Sequence, residues 1–211
     1  MAHGHHALGL QLHMEFGIDG KGWPMVKKKR HKPVDALHII VNARSYLLAA
    51  LVIEKQPINP MLLWPKLACI AFSLELHLKC LHRVRRRYSV GHNAKRIFEK
   101  LSKADRKRIA ELHDKKVKKH PGYSQTVSVK CGTDFESVLV RASDLFEKTR
   151  YWHEQILPHA DSLGAQGSFG MDCLIDAVKD VILESKPDLL ERAKSVKITT
   201  SWGEYSRIRS T

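Results

Sequence analysis

The residues best suited to chemistry lie on one apolar stretch, Pro65–Arg83, and in the basic run that follows it. Within the stretch, Ala68, Ala71, Glu75, Lys79 and His82 fall on one narrow helical stripe. Glu75 and Lys79 are i,i+4 partners in the favourable order. A carboxylate and an ammonium on a buried helix are costly unless paired. The stripe is therefore expected to face a polar groove or a partner that completes it. Downstream, residues 83–119 hold fifteen Lys and Arg, Arg85, Arg86 and Arg87 among them, against four Asp and Glu. That excess is most of the chain's net charge of +14. It exceeds what solubility requires. It predicts attraction to polyanions: nucleic acid, nucleotides or an anionic membrane surface. The plainer alternative is a solvated helix face.

These residues need helices to position them. Leu67, Ile70, Leu74, Leu78 and Leu81 recur at helical spacing in the central stretch, and Cys69, Phe72, Leu76 and Cys80 fill its other side. A helix apolar all round is a central one, buried by neighbours. Pro65 suits its first turn, and the start falls between Asn59 and Pro65. Before it, a helix opens at Asp35, a candidate N-cap, and runs to about Glu54. After it, Ser89–Gly91 reads as a turn and His92 to about Leu101 as a short helix, with the His92 imidazole as one possible cap. Ser102 caps a helix to about Lys119, with Asp105 at N3. HPGYS ends that helix. Val127–Cys131 is too short to assign as a strand. Asp134–Ile156 reads as a long helix stopped by Pro158. Helices at Met171–Glu184 and Pro187–Ser195 follow the Gly/Ser loop Ser162–Gly170. Short connections favour antiparallel neighbours. The expected class is all-α: an antiparallel bundle of about six helices over residues 35–195.

The ends differ in character. Residues 1–34 read as a disordered or basic arm carrying the run Lys27–Lys32, with residues 1–24 as an upstream extension and Met25 as a natural start. Residues 196–211 read as a polar tail, with Trp202 and Tyr205 as possible anchors. A chain of 211 residues suits one domain with tails. The four cysteines show no CxxC pairing and read as reduced structural thiols of a cytoplasmic protein, with no zinc site. His3, His5 and His6 could hold a metal ion only weakly, so no functional metal site is expected there on composition, and no cofactor is expected. His38, Asn42 and Arg44 interrupt Ala36–Ile53, which argues for a soluble helix rather than a membrane span.

Ala71, Glu75, Leu76, Leu78 and Lys79, then Gly91, His92 and Asn93, then Arg150–Tyr151, resemble the motifs of one branch of the HEPN family, the "higher eukaryotes and prokaryotes nucleotide-binding" domains. The resemblance covers roughly residues 35–185. Ala94 departs from the branch's usual Leu, and Trp152 stands where Pro usually follows Arg-Tyr. The resemblance implies an HEPN-like bundle, a homodimer, and RNA or nucleotide as ligand. It also implies a nucleotidyltransferase or an antitoxin as a possible protein partner. Glu75, Lys79, Arg85, Arg86, Arg150 and Tyr151 would then serve phosphate or nucleotide binding. Many members are metal-independent ribonucleases with an R-x4-6-H motif. Arg87-x4-His92 has that spacing, with Arg87 facing the phosphate and His92 serving proton transfer. Tyr88 replaces the polar residue that commonly follows the motif Arg, so binding without cleavage is the expected activity, with ribonuclease and a non-catalytic structural bundle for partner binding as the alternatives.

Overall fold

The computed structural model describes residues 16–18, 24–26, 34–57, 59–123, 132–150 and 170–196; for 16–18, 24–26, 60 and 146–150 it describes the backbone only. The chain divides into two units, Met1–Pro33 and Val34–Thr211. The first contains an antiparallel hairpin of β1 (Phe16–Ile18) and β2 (Pro24–Val26), with Phe16 opposite Val26 and Ile18 opposite Pro24. Pro24 opens its strand, where a missing N–H is tolerated. The sequence reading assigned no element here.

The second unit is an all-α bundle. Its described helices are α1 (Ala36–Glu54), α2 (Leu63–Val84), α3 (Ala94–Glu99), α4 (Lys103–Lys119), α5 (Phe135–Arg150), α6 (Met171–Ser185) and α7 (Pro187–Ser195). A 3-10 turn, Pro60–Leu62, leads into α2. Pro65 falls in the first turn of α2, as expected. The expected end of the long helix at Ile156 lies outside the described residues, as do Val127–Cys131, Trp202 and Tyr205.

Helix α2 is the hub, packed against α1, α3, α5 and α6. Leu67, Leu74, Leu78 and Leu81 are fully buried on it, each worth roughly 1.5–3 kcal/mol relative to exposure. Ala36, Ile40, Ala43 and Ala50 form the α1 seam. Three of these are alanines, so the two backbones approach closely. Ser73 Oγ donates to the Ala43 carbonyl at 2.9 Å, and Lys66 pairs with Glu54 at 2.9 Å. That register makes α1 and α2 antiparallel. Helix α1 has the length and composition to cross a membrane, yet its seam serves here as one wall of the core.

Helices α4 and α6 are also antiparallel, joined by Arg108–Glu184 at 2.6 Å, Lys116–Asp180 at 2.8 Å and His120–Asp172 at 3.2 Å. Gly170 begins α6 in the left-handed region, with φ +78. A Cβ there would stand 2.6 Å from Val138 Cγ2. Conformation and space both require glycine at this point.

Candidate functional site

Glu75 lies in the middle of α2 with its side chain only 3% exposed. Its Oε1 accepts from Lys79 Nζ at 2.7 Å, one turn along the same helix. The same oxygen lies 3.1 Å from His92 Nδ1, across the turn that joins α2 to α3. A proton on Nδ1 makes that contact a hydrogen bond, with the imidazole donating. Oε2 is buried and finds no hydrogen-bond partner among the described residues. A carboxylate oxygen so placed is an acceptor that costs free energy until a donor reaches it.

The stripe is closed over at its inner edge. Ala71, Glu75 and His82 are buried, whereas Ala68 and Lys79 are only partly so. His82 Nε2 lies 2.9 Å from the Ile97 carbonyl, which ties α2 to α3. Burial pushes the His82 imidazole below its ordinary value; the Ile97 carbonyl opposes this, and the charges of Arg87 and Lys100 add to it.

The short helix α3 is capped by Asn93, whose side chain accepts from Arg96 N at 2.9 Å. The His92 imidazole, one possible cap by sequence, is therefore not the cap. An amide oxygen one residue later reaches the free N–H, and His92 turns to Glu75 instead.

The three arginines after α2 have different surroundings. Arg85 pairs with Asp105 at 2.6 Å. Asp105 Oδ2 also accepts from Ser102 Oγ, which in turn accepts from Asp105 N, so the predicted cap of α4 is present. Arg85 thus braces the end of α2 against the start of α4. Arg86 has φ +56 and is the one non-glycine with positive φ among the described residues. Its N–H donates to the Arg83 carbonyl at 3.0 Å, and Arg87 N–H donates to the His82 carbonyl at 2.8 Å. These two bonds make the helix-ending motif that normally places glycine where Arg86 stands. The Arg86 and Arg87 side chains are exposed, and no hydrogen bond joins Arg87 to His92 among the described residues. The Arg150 side chain and all of Tyr151 lie outside the described residues, as do His3, His5 and His6.

Three features escaped the sequence reading. Tyr88 is 71% exposed. Its position directly after three arginines was the available signal. A groove of about 470 Å³ runs between α4 and α6, lined by Lys115, Lys119 and His120 on one side and Asp172 and Asp176 on the other. Beside it, Tyr123 OH donates to Asp172 at 2.8 Å and accepts from Gly170 N at 2.9 Å. The rings flanking Pro121–Gly122 were the only hint of that cluster.

The three described thiols, Cys69, Cys80 and Cys173, are free. Cys80 and Cys173 are pushed up to about 12, chiefly by burial, and burial also raises Cys69. None of these three is a thiolate at neutral pH. Among the described residues no group of three or more His, Cys, Asp and Glu is placed to hold a metal ion. No family model matches the chain, and no curated protein or solved structure shows significant similarity to it.

Proposed function

We propose that this chain is an HEPN-like domain that binds the phosphates of RNA or of a nucleotide through the basic surface following α2. One observation carries the reading. From Arg83 to Lys103 the only carboxylate is Glu99, and Arg85 is the only Lys or Arg with a carboxylate partner among the described residues. Arg86, Arg87, Arg96, Lys100 and Lys103 are exposed. Unpaired cations gathered beside one another repel, and a polyanion relieves that repulsion by releasing its counterions. The buried Oε2 of Glu75, close to Lys79 and His92, adds an acceptor suited to a ligand hydroxyl or amino group.

The test is RNA retention as a function of salt. Arg86→Glu with Arg87→Glu should weaken retention and leave the fold intact, because Arg85 keeps its hold on Asp105. Removing one phosphate ion pair should lower the slope of log K against log salt by roughly 0.7–0.9. Failure of the wild type to retain RNA or nucleotide at low salt would sink the reading.

A second reading, metal-independent ribonuclease, is favoured by one contact: the Glu75 carboxylate orients the His92 imidazole, as a general base requires. Against it stands the absence of a bond between Arg87 and His92. Single-turnover cleavage in EDTA separates the two readings. An acting His92 is worth about 10²–10⁴ in rate, so robust cleavage lost in His92→Ala would establish the enzyme.

A further inference from the structure

We propose that Tyr88 is a base-stacking platform, and that the ligand of this basic surface is single-stranded RNA with an unpaired base lying on the phenol ring and its neighbouring phosphates held by Arg86 and Arg87. The inference rests on the phosphate-binding reading above and deepens it.

Three observations carry it. The first is the exposure of the ring. Tyr88 is 71% exposed and has no ring or hydrogen-bond partner among the described residues. The other described tyrosines are engaged: Tyr46 stacks on Phe72 with centroids 5.2 Å apart, and Tyr123 stacks on His120 at 4.0 Å. An aromatic ring held in water is a cost that a stacked base removes.

The second is the anchoring of its backbone. The helix-ending bonds Arg86 N to Arg83 O and Arg87 N to His82 O fix the residues before it. Ser89, directly after it, is buried, and Val90 is again 62% exposed. Ser89 is the one buried residue between Arg85 and His92, so Tyr88 and Val90 stand outward on either side of an anchored position. A preorganised stem lowers the ordering cost of binding. Ser89 Oγ is buried without a hydrogen-bond partner, which leaves one further polar group in the loop to be satisfied.

The third is the charge. Arg86 and Arg87 are exposed immediately before the ring. Cations adjoining an exposed ring offer sites for phosphate beside a surface for a base, which suits a single strand, whose bases are free to splay out. A duplex keeps its bases stacked inside and offers the ring nothing.

The test is fluorescence anisotropy with labelled oligoadenylate and with a labelled RNA duplex of equal length, unlabelled polyglutamate serving as competitor. Tyr88→Ala should weaken oligoadenylate binding by roughly ten- to a hundred-fold, the range expected for a single base stack. Tyr88→Phe should bind like the wild type, and duplex binding should be unchanged by either substitution. The salt slope should stay unaltered in Tyr88→Ala, because stacking releases no ions, and should fall by about 0.7 in Arg87→Ala. Wild-type strength in Tyr88→Ala on oligoadenylate would overturn the stacking role and leave phosphate binding standing. Competition by polyglutamate equal to that by oligoadenylate would overturn the choice of RNA. A wild type that binds neither RNA at low salt would overturn both readings together.

Discussion

His92 Nδ1 and Glu75 Oε1 lie 3.1 Å apart across the turn between α2 and α3. The two residues contribute unequally. The Glu75 side chain is 3% exposed, whereas that of His92 is 58% exposed. Removing Glu75 strands Lys79, whose side chain is 20% exposed and recovers only part of its hydration. Glu75→Ala should therefore cost about 2–4 kcal/mol, near the lower end for a broken buried pair. His92→Ala should cost less than about 1 kcal/mol, as for an exposed pair. Urea unfolding of both variants checks the ordering. Equal midpoints would mean that the carboxylate is solvated.

Arg86 has a left-handed backbone at the end of α2. A side chain there costs roughly 1–2 kcal/mol relative to glycine. Glycine returns part of that gain as unfolded-chain entropy. Arg86→Gly should stabilise the domain by roughly 0.5–1 kcal/mol and at the same time weaken RNA retention. Thermal unfolding and filter binding on one variant test both. A variant less stable than the wild type would show that the Arg86 side chain contributes more by packing than its backbone costs.

The bundle was legible because its signals are local. Helical spacing of Leu67, Leu74, Leu78 and Leu81 marked the hub, and Ser102 with Asp105 marked the start of α4. The Glu75–Lys79 pair followed from i,i+4 geometry alone. The role of Arg85 was not legible, because its partner Asp105 is twenty residues away and belongs to the next helix. Whether His92 caps α3 stays open in the sequence for a similar reason. The choice between His92 and Asn93 depends on whether a carboxylate waits on α2, and spacing does not carry that. The exposure of Tyr88 depends on the burial of Ser89 and on the turn at Arg86, both set by tertiary packing.

Gly170 is held by conformation and by space together. Its φ of +78 is strained for any L side chain, and its Cβ position lies 2.6 Å from Val138 Cγ2 on α5. Gly170→Ala should cost about 2–4 kcal/mol, combining left-handed strain with overpacking. Gly122→Ala is the control: a Cβ there meets only the His120 ring, at 3.3 Å, and no positive φ. It should change stability by less than about 1 kcal/mol. Similar losses in the two variants would contradict the steric account.

The last prediction concerns acid. His77 is fully buried on α2, with Nδ1 2.7 Å from the Ser73 carbonyl. Burial pushes its imidazole from 6.5 to about 4; the Ser73 carbonyl and Asp176 oppose this, while Lys179 and Arg44 add to it. Burial lowers His82 and His113 as well. A base whose folded value is depressed favours the neutral form in the fold. The unfolded chain takes up its proton first as the pH falls. Stability from these groups is therefore complete above about 6.5 and is lost below it, for His77 down to about 4. Over that window His77 alone accounts for roughly 3 kcal/mol. Carboxylates titrate lower, so the interval from about 6.5 to 5 isolates the imidazoles. Urea unfolding across that interval should show stability falling with pH. His77→Leu should reduce the slope by about 1.4 kcal/mol per pH unit, the contribution of one proton. A wild type whose stability is flat between pH 7 and 5 would mean that the buried imidazoles reach water without unfolding.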